Sequence, residues 1–306
     1  MRIAVMGAGG VGGYFGAQLA RAGHEVAFVA RGRHLAALRE LGLTVESAVA
    51  PVHALPVVAT DDPGELAPVD VVLFCVKLWD VEPAAAAVAP LVSGGGIVIP
   101  FQNGVESHRV LARVLGAEHV AGGVAQIGAA IKSPGVIAHT GTMAKLRVGA
   151  FAGGPLGAVR TFADAARQAG IDIELVDDIE RALWEKFVFL AAMSGVTAVA
   201  RQPIGAVRSS PELRATLEAA MRETVAVART QGIDFDDGFV ARQMGFIDGL
   251  PAEMRSSMLN DLLAGNRLEA PWLAGAVARM AAAAGLPAPV NATLYAALRP
   301  YVAGAH

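Results

Sequence analysis

A single cysteine, Cys75, stands in a chain of 306 residues, so no intrachain disulfide can form. It sits inside the apolar run Val71 to Val76, where a thiol behaves as a small core hydrophobe. Charge is scarce as well. Asp, Glu, Lys and Arg make up 17% of the residues and leave a formal net charge of −3. No excess of Lys and Arg is available to neutralise phosphates, so a nucleic-acid partner is not expected. The seven histidines show no metal-ligand spacing, and no metal site is expected. Signal-peptide architecture is missing too: Met1-Arg2 leads straight into a strand pattern, and the expected compartment is cytoplasmic.

What the chain does have is apolar mass. Hydrophobic residues are 54% of the total, which excludes a disordered chain, and the length suits two domains that each bury a core. The mean hydropathy of +0.47 raises the question of a membrane. Pro83 to Val105 is uncharged and long enough to span one. It is interrupted by Pro90, by Gly94-Gly95-Gly96, by Pro100 and by Gln102-Asn103, so lipid would face unpaired backbone groups. A short Ala-rich helix, a turn and a buried strand fit it better, and no membrane association is expected.

The first half reads as a Rossmann-type α/β domain over residues 1–176. Arg2 to Met6 is a short apolar strand pattern that enters Gly7-Ala8-Gly9-Gly10-Val11-Gly12 at once. A helical pattern follows from Gly13 to Ala22, then a second strand from Glu25 to Ala30. This is the β-loop-α-β context that makes G-x-G-x-x-G a dinucleotide fingerprint rather than a glycine-rich turn. Gly7 permits the turn, Gly9 lets a pyrophosphate approach the backbone, and Gly12 lets helix and strand pack closely. The helix amides and dipole then face the phosphates.

An NAD site usually carries an acidic residue at the end of the second strand. Here the strand runs into Ala30-Arg31-Gly32-Arg33-His34, with no carboxylate. Arg31 suits a 2′-phosphate through charge-assisted hydrogen bonds, which favours NADP(H), although the same residue also fits a solvated surface arginine. Further strand patterns at 69–76 and 96–101 end at Lys77 and at Gln102-Asn103-Gly104. Ligands of open α/β sheets bind beyond the carboxyl ends of the strands, so Lys77 and Asn103 are expected to line the cofactor crevice. Patterns near 120–131, 135–140 and 145–149 suggest more strands, and a helix at 155–169 with a strand at 171–176 closes the domain.

Residues 177–306 read as an all-α domain. Helical patterns cover Ile179 to about Val199, Pro211 to about Gln231, Asp236 to Ile247, Met254 to about Gly285, and Asn291 to Tyr301, with Asp177 or Asp178 as first N-cap. Lys186 is followed by fourteen uncharged residues, Phe187 to Ala200. Helical spacing puts Leu183, Leu190, Met193 and Ser194 on its face. A lysine held there loses hydration, which lowers its pKa and makes it a better proton donor near neutrality. A snorkelling lysine paired with Glu185 or Asp178 remains equally open from the helix alone. Ser256-Ser257, read as lying inside a helix, and Glu269 carry little signal by themselves.

Together these motifs resemble the ketopantoate reductase (2-dehydropantoate 2-reductase) family over nearly the whole chain. They are the glycine loop, Arg31, Val76-Lys77, Gln102-Asn103-Gly104, Leu183-Trp-Glu-Lys186, and Ser256-Ser-Met-Leu-Asn-Asp261 with Glu269. The resemblance implies that Lys186 is the general acid and that Asn103 touches both cofactor and substrate. It implies that Ser257 binds substrate and that Ala130 and Glu269 contact the cofactor. The implied reaction is NADPH-dependent reduction of 2-dehydropantoate, a small 2-oxo acid, to pantoate. A homodimer is compatible with the apolar helices.

One and two turns past its lysine the family carries substrate-gripping asparagines, where this chain has Leu190 and Ser194. Where the family often has Asn-Gly, this chain has Ile204-Gly205. A reductase for a less polar 2-oxo acid or ketone therefore stays open. So does a non-catalytic NADPH sensor, which would need the loop and Arg31 but not Lys186.

Overall fold

The computed structural model describes residues 1–304 and divides into two compact units. The first comprises residues 1–102 and 106–183, the second residues 103–105 and those from 184 onward. The expected division after residue 176 differs from this by under two turns of helix.

In the first unit, β1 (Arg2–Met6), α1 (Gly10–Arg21) and β2 (Glu25–Val29) form the opening β-α-β. After α2 (Gly32–Leu41) the chain leaves that sheet for β3 (Leu43–Glu46) and β4 (Val52–Leu55), then returns as β5 (Val58–Thr60). Next come β6 (Val71–Phe74), α3 (Val81–Val88) and β7 (Ile97–Pro100). The uncharged stretch at 83–105 is thus helix, turn and buried strand, as its breaks require. The resulting sheet has the order β5-β2-β1-β6-β7 and is parallel throughout. Its register decides where the ligand edge lies. Met6 pairs with Val29 and with Phe74, and Phe74 pairs with Pro100. The segments beginning at Gly7, Ala30, Cys75 and Phe101 therefore all leave along one edge, with the reversal of strand order falling between β1 and β6.

The strands that follow do not extend this sheet. α4 (Ser107–Leu115) leads to β8 (Ala121–Ser133) and β9 (Val136–Ala150), then α5 (Leu156–Gln168) and β10 (Asp172–Leu175). These build a second sheet, β10-β9-β3-β4, with β8 antiparallel to β9. The two patterns expected at 135–140 and 145–149 are one long strand, β9, because β8 offers it continuous pairing across a bulge. α1 packs on strands of both sheets. Its glycines make that possible: a Cβ at Gly16 would stand 2.6 Å from the Phe28 ring, and one at Gly13 would stand 2.7 Å from Ile137. Val5, Phe15, Phe28, Leu73, Ile137 and Phe162 fill the common core.

α6 (Ile179–Ala200) begins in the first unit, where Ile179 packs on Gly122 and Gly149, and continues into the second. Of the two candidate caps Asp178 is the one used: its Oδ1 accepts from Arg181 N–H at 2.9 Å. α6 is long and apolar enough to cross a membrane, but 72% of its apolar window is buried, as in a core helix.

The second unit continues with α7 (Ile204–Ser209), α8 (Pro211–Thr230), α9 (Phe239–Asp248), α10 (Ser257–Leu263), α11 (Ala274–Ala283) and α12 (Pro289–Leu298). Glu223 of α8 accepts from the Val290 and Asn291 amides, satisfying the first turn of α12. The long helix expected from Met254 to Gly285 is broken. Gly265 takes φ +68°, and Pro271, which lacks an N–H, opens a 3₁₀ turn at Ala270–Trp272. Residues 251–256 are not helical either, so Ser256 and Ser257 stand at the start of α10, not inside a helix: Ser256 is its N-cap and accepts from Leu259 N–H at 3.1 Å.

Candidate active site

The carboxyl edge of the first sheet carries the glycine turn. Gly7 has φ +100°, which disfavours any side chain, and a Cβ there would also lie 2.9 Å from the Cys75 backbone. The Gly7 and Ala8 amides both donate to the Val29 carbonyl, at 3.1 and 3.2 Å. These donors are therefore committed to holding the turn. Gly9 caps α1 without a side-chain hydrogen bond, and the first helix amides have no partner within the helix. Above Gly9 a Cβ would meet nothing within 4 Å. A bare helix terminus beneath open space fits a pyrophosphate, so the loop passes the test for a dinucleotide.

β8 closes one side of this cradle. A Cβ at Gly10 would fall 2.1 Å from the Ala129 carbonyl oxygen and 2.9 Å from the Ala130 nitrogen, which puts Ala130 beside the loop. Gly10→Ala must push apart α1 and β8. We expect it to cost about 1–3 kcal/mol, as overpacking does. A lowered denaturation midpoint in a urea titration checks this, and an unchanged midpoint would refute the contact.

Arg31 is the N-cap residue of α2, exposed, directly past the end of β2. Lys77 follows β6, also exposed, with Nζ 5.6 Å from the Trp79 ring centroid. Cys75, between β6 and Lys77, is half-buried, and burial pushes its thiol up to about 12, which keeps it an inert thiol. Gln102 ties the ends of β7 and β6 together by donating from Nε2 to the Phe74 carbonyl at 3.0 Å.

The second unit holds the titratable group. Lys186 is half-buried on α6, beside the fully packed Trp184 and Phe187, and its Nζ donates to Asn103 Oδ1 at 2.9 Å. Gly104, at φ +101°, makes the turn that presents Asn103. Of the acceptors around the ammonium, it is Asn103, remote in sequence, that receives this hydrogen bond. Burial drives the Lys186 pKa down to about 8, and the Glu269 charge opposes that fall. Glu269, which carries little signal in the sequence alone, is only 7% exposed, a buried acid. The broken helix explains it: residues 264–273 run as loop and 3₁₀ turn, and this non-helical path carries Glu269 into the interior.

The remaining candidates on α6 differ in character. Leu190 is half-buried, whereas Ser194 is fully buried with a hydroxyl that has no hydrogen-bond partner among the described residues. Ile204 is fully buried, and its backbone N–H bonds the Met254 carbonyl. Ser257 is exposed at the first position of α10. Its neighbour Ser256 lies 2.8 Å from Thr197 Oγ1, and the Thr197 hydroxyl donates to the Met193 carbonyl. Ser256 must therefore donate to Thr197, which fixes the start of α10 to the lysine helix. Sequence reasoning missed Thr197, although eleven residues from Lys186 returns a helix to nearly the same face. It also missed His34, whose imidazole touches the glycine turn: Nε2 is 2.8 Å from the Ala8 carbonyl.

A parallel sheet ending in a glycine turn fit for a dinucleotide, followed by a helical unit that holds a desolvated lysine, is compatible with an oxidoreductase acting on CH–OH groups. Comparison with known proteins narrows this. Residues 3–153 match the model of ketopantoate reductase PanE/ApbA, and residues 178–302 match that of its C-terminal domain. The 2-dehydropantoate 2-reductase of Archaeoglobus fulgidus is 34% identical over 96% of this chain and 95% of its own. The crystal structure of 2-dehydropantoate 2-reductase from Geobacter metallireducens superposes at a TM-score of 0.91, with 32% identity over 98% of this chain and 99% of that one. A D-mandelate dehydrogenase structure shares the fold at a TM-score of 0.91 but only 20% identity, covering 98% of each chain. The chain belongs to the ketopantoate reductase family.

Proposed function

We propose that the protein reduces 2-dehydropantoate to pantoate with NADPH, in the cytoplasm, and that Lys186 is the general acid. The hydrogen bond from Lys186 to Asn103, made by an ammonium whose pKa burial has brought to about 8, carries this reading. NADP(H), when bound, supplies the hydride from nicotinamide C4. The Gly9–Gly12 backbone and Arg31 hold its phosphates, with Ala130 beside the loop, and Lys77 and Glu269 complete the cofactor contacts. Lys186 donates a hydrogen bond to the C2 carbonyl oxygen and protonates it as charge develops. Asn103 accepts from the ammonium, orients it, and also contacts substrate and cofactor. Ser257 serves the substrate carboxylate or hydroxyls, and Leu190 shapes its apolar side.

The sign of the pH dependence follows. Reduction needs the protonated lysine, which prevails below its pKa of about 8. Reductive kcat/KM should be flat below that pH and fall about tenfold per unit above it, while the reverse oxidation should rise. Removing the opposing charge with Glu269→Gln should move the break to lower pH. Initial rates of NADPH consumption across pH 6 to about 10 check both; a break that stays put in the variant would remove Glu269 from the account.

A second reading, a less polar 2-oxo acid, is favoured by Leu190 and by Ile204, whose side chain is withdrawn into the core. Turnover of a panel of 2-oxo acids with NADPH and with NADH chooses between them. The first reading requires 2-dehydropantoate to give the highest kcat/KM, and fails if it is turned over no faster than unrelated 2-oxo acids.

A further inference from the structure

We propose that His34 is the positioning residue of the cofactor site: one neutral imidazole ties the glycine turn to the turn that bears Arg31, and so holds Arg31 in place for a 2′-phosphate. The inference rests on the NADP(H) reading of Arg31 and deepens it.

His34 lies in the first turn of α2, three residues beyond Arg31, which caps that helix. Its two ring nitrogens face partners of opposite kinds. The Gly135 N–H donates to Nδ1 at 3.0 Å, and Nε2 stands 2.8 Å from the Ala8 carbonyl oxygen. An amide N–H can only donate and a carbonyl can only accept, so Nδ1 is bare and Nε2 carries the hydrogen. Both contacts select the same tautomer and the same neutral state. An imidazolium would set an Nδ1–H against the Gly135 N–H.

What the ring connects matters more than the bonds themselves. Ala8 sits inside the pyrophosphate loop and is already held at its amide by Val29, so His34 fastens its carbonyl side. Gly135 closes the β8–β9 hairpin, whose β8 strand also walls the loop at Gly10. Leu35 and Leu38 bury the inner face of α2. The Arg31 side chain is exposed, so the packing around it does not fix its place; the anchoring of the α2 start by His34 does. Burial also holds the His34 pKa below the ordinary imidazole value, which keeps the ring neutral at working pH.

The test is equilibrium binding of NADPH and NADH, read by cofactor fluorescence, together with the thermal midpoint of the free protein. Wild type is compared with His34→Ala, His34→Gln, His34→Phe and Arg31→Ala/His34→Ala. Loss of the hydrogen bond should weaken NADPH by about tenfold. NADH should weaken less, so the preference between the two falls. Gln, which offers both a donor and an acceptor, should restore most of that preference. In the Arg31→Ala background the further change should be equal for the two cofactors. His34→Phe keeps the ring volume without either bond, and carries the comparison if the alanine variant does not fold. Equal losses for NADPH and NADH, following the fall in thermal midpoint, would overturn the proposal and leave His34 a structural residue. A wild type without preference for NADPH would instead remove the Arg31 reading, and this inference with it.

Discussion

Lys186→Met should lower kcat for reduction by about 10² to 10⁴, the range a positioned general acid supplies, while NADPH binds as before. Methionine is the informative replacement because it keeps an unbranched chain in a half-buried position and so limits the cavity that alanine would leave. Lys186→Arg separates charge from acidity. Guanidinium remains protonated throughout the accessible range, so it preserves the positive field but releases no proton near neutrality. If Lys186 acts as an acid, arginine should also be crippled, and the alkaline fall in rate should vanish. If the role were electrostatic alone, arginine would keep most of the activity. Steady-state rates with each variant at saturating NADPH read this directly. A methionine variant within tenfold of wild type would place the acid elsewhere. These outcomes also dispose of the sensor alternative, which has no use for the lysine.

Arg31→Ala should raise the Kd for NADPH while leaving NADH nearly unchanged. Charge-assisted hydrogen bonds are worth about 1.5–3 kcal/mol, which corresponds to roughly 10- to 150-fold. Arg31 is exposed, so solvent and salt screen the interaction, and about tenfold at physiological ionic strength is the better expectation. The loss should grow as salt is lowered. Arg33, two residues on and also exposed, is the natural substitute, so the double replacement should remove whatever preference Arg31→Ala leaves. Fluorescence titration of both cofactors at two salt concentrations measures it. Identical weakening of NADH would mean that Arg31 shapes the loop and does not read the 2′-phosphate.

Much of the dinucleotide fold was legible because its signals are local. Arg2–Met6 runs straight into the glycine turn, and the register of four parallel strands then puts Gly7, Arg31 and Lys77 on one edge. β3 and β4 were not legible. Each is four residues long and belongs to a second sheet assembled from strands nearly a hundred residues apart in sequence, such as the pairing of Thr44 with Val136. In the helical unit, α6 and α8 emerge with their expected limits, since long periodic segments fix themselves. The segment from Met254 to Gly285 misled because alanine and leucine at both ends mask the break at Gly265 and Pro271. That break is what buries Glu269, so the least legible stretch holds one of the more consequential residues. Lys186 could be singled out from the uncharged helix around it, but its partner could not. Asn103 lies 83 positions away, and only the folded chain brings its amide to the ammonium.

The proposed reduction turns on the protonation of a single amine. The chain has only four lysines, Lys77, Lys132, Lys145 and Lys186, so their side chains can be followed one by one by NMR in protein labelled at the lysine ε-carbon. One resonance should titrate at about 8 and disappear in Lys186→Arg. If all four titrate together near about 10.4, the ordinary lysine value, Lys186 is not desolvated and the mechanism described here is wrong.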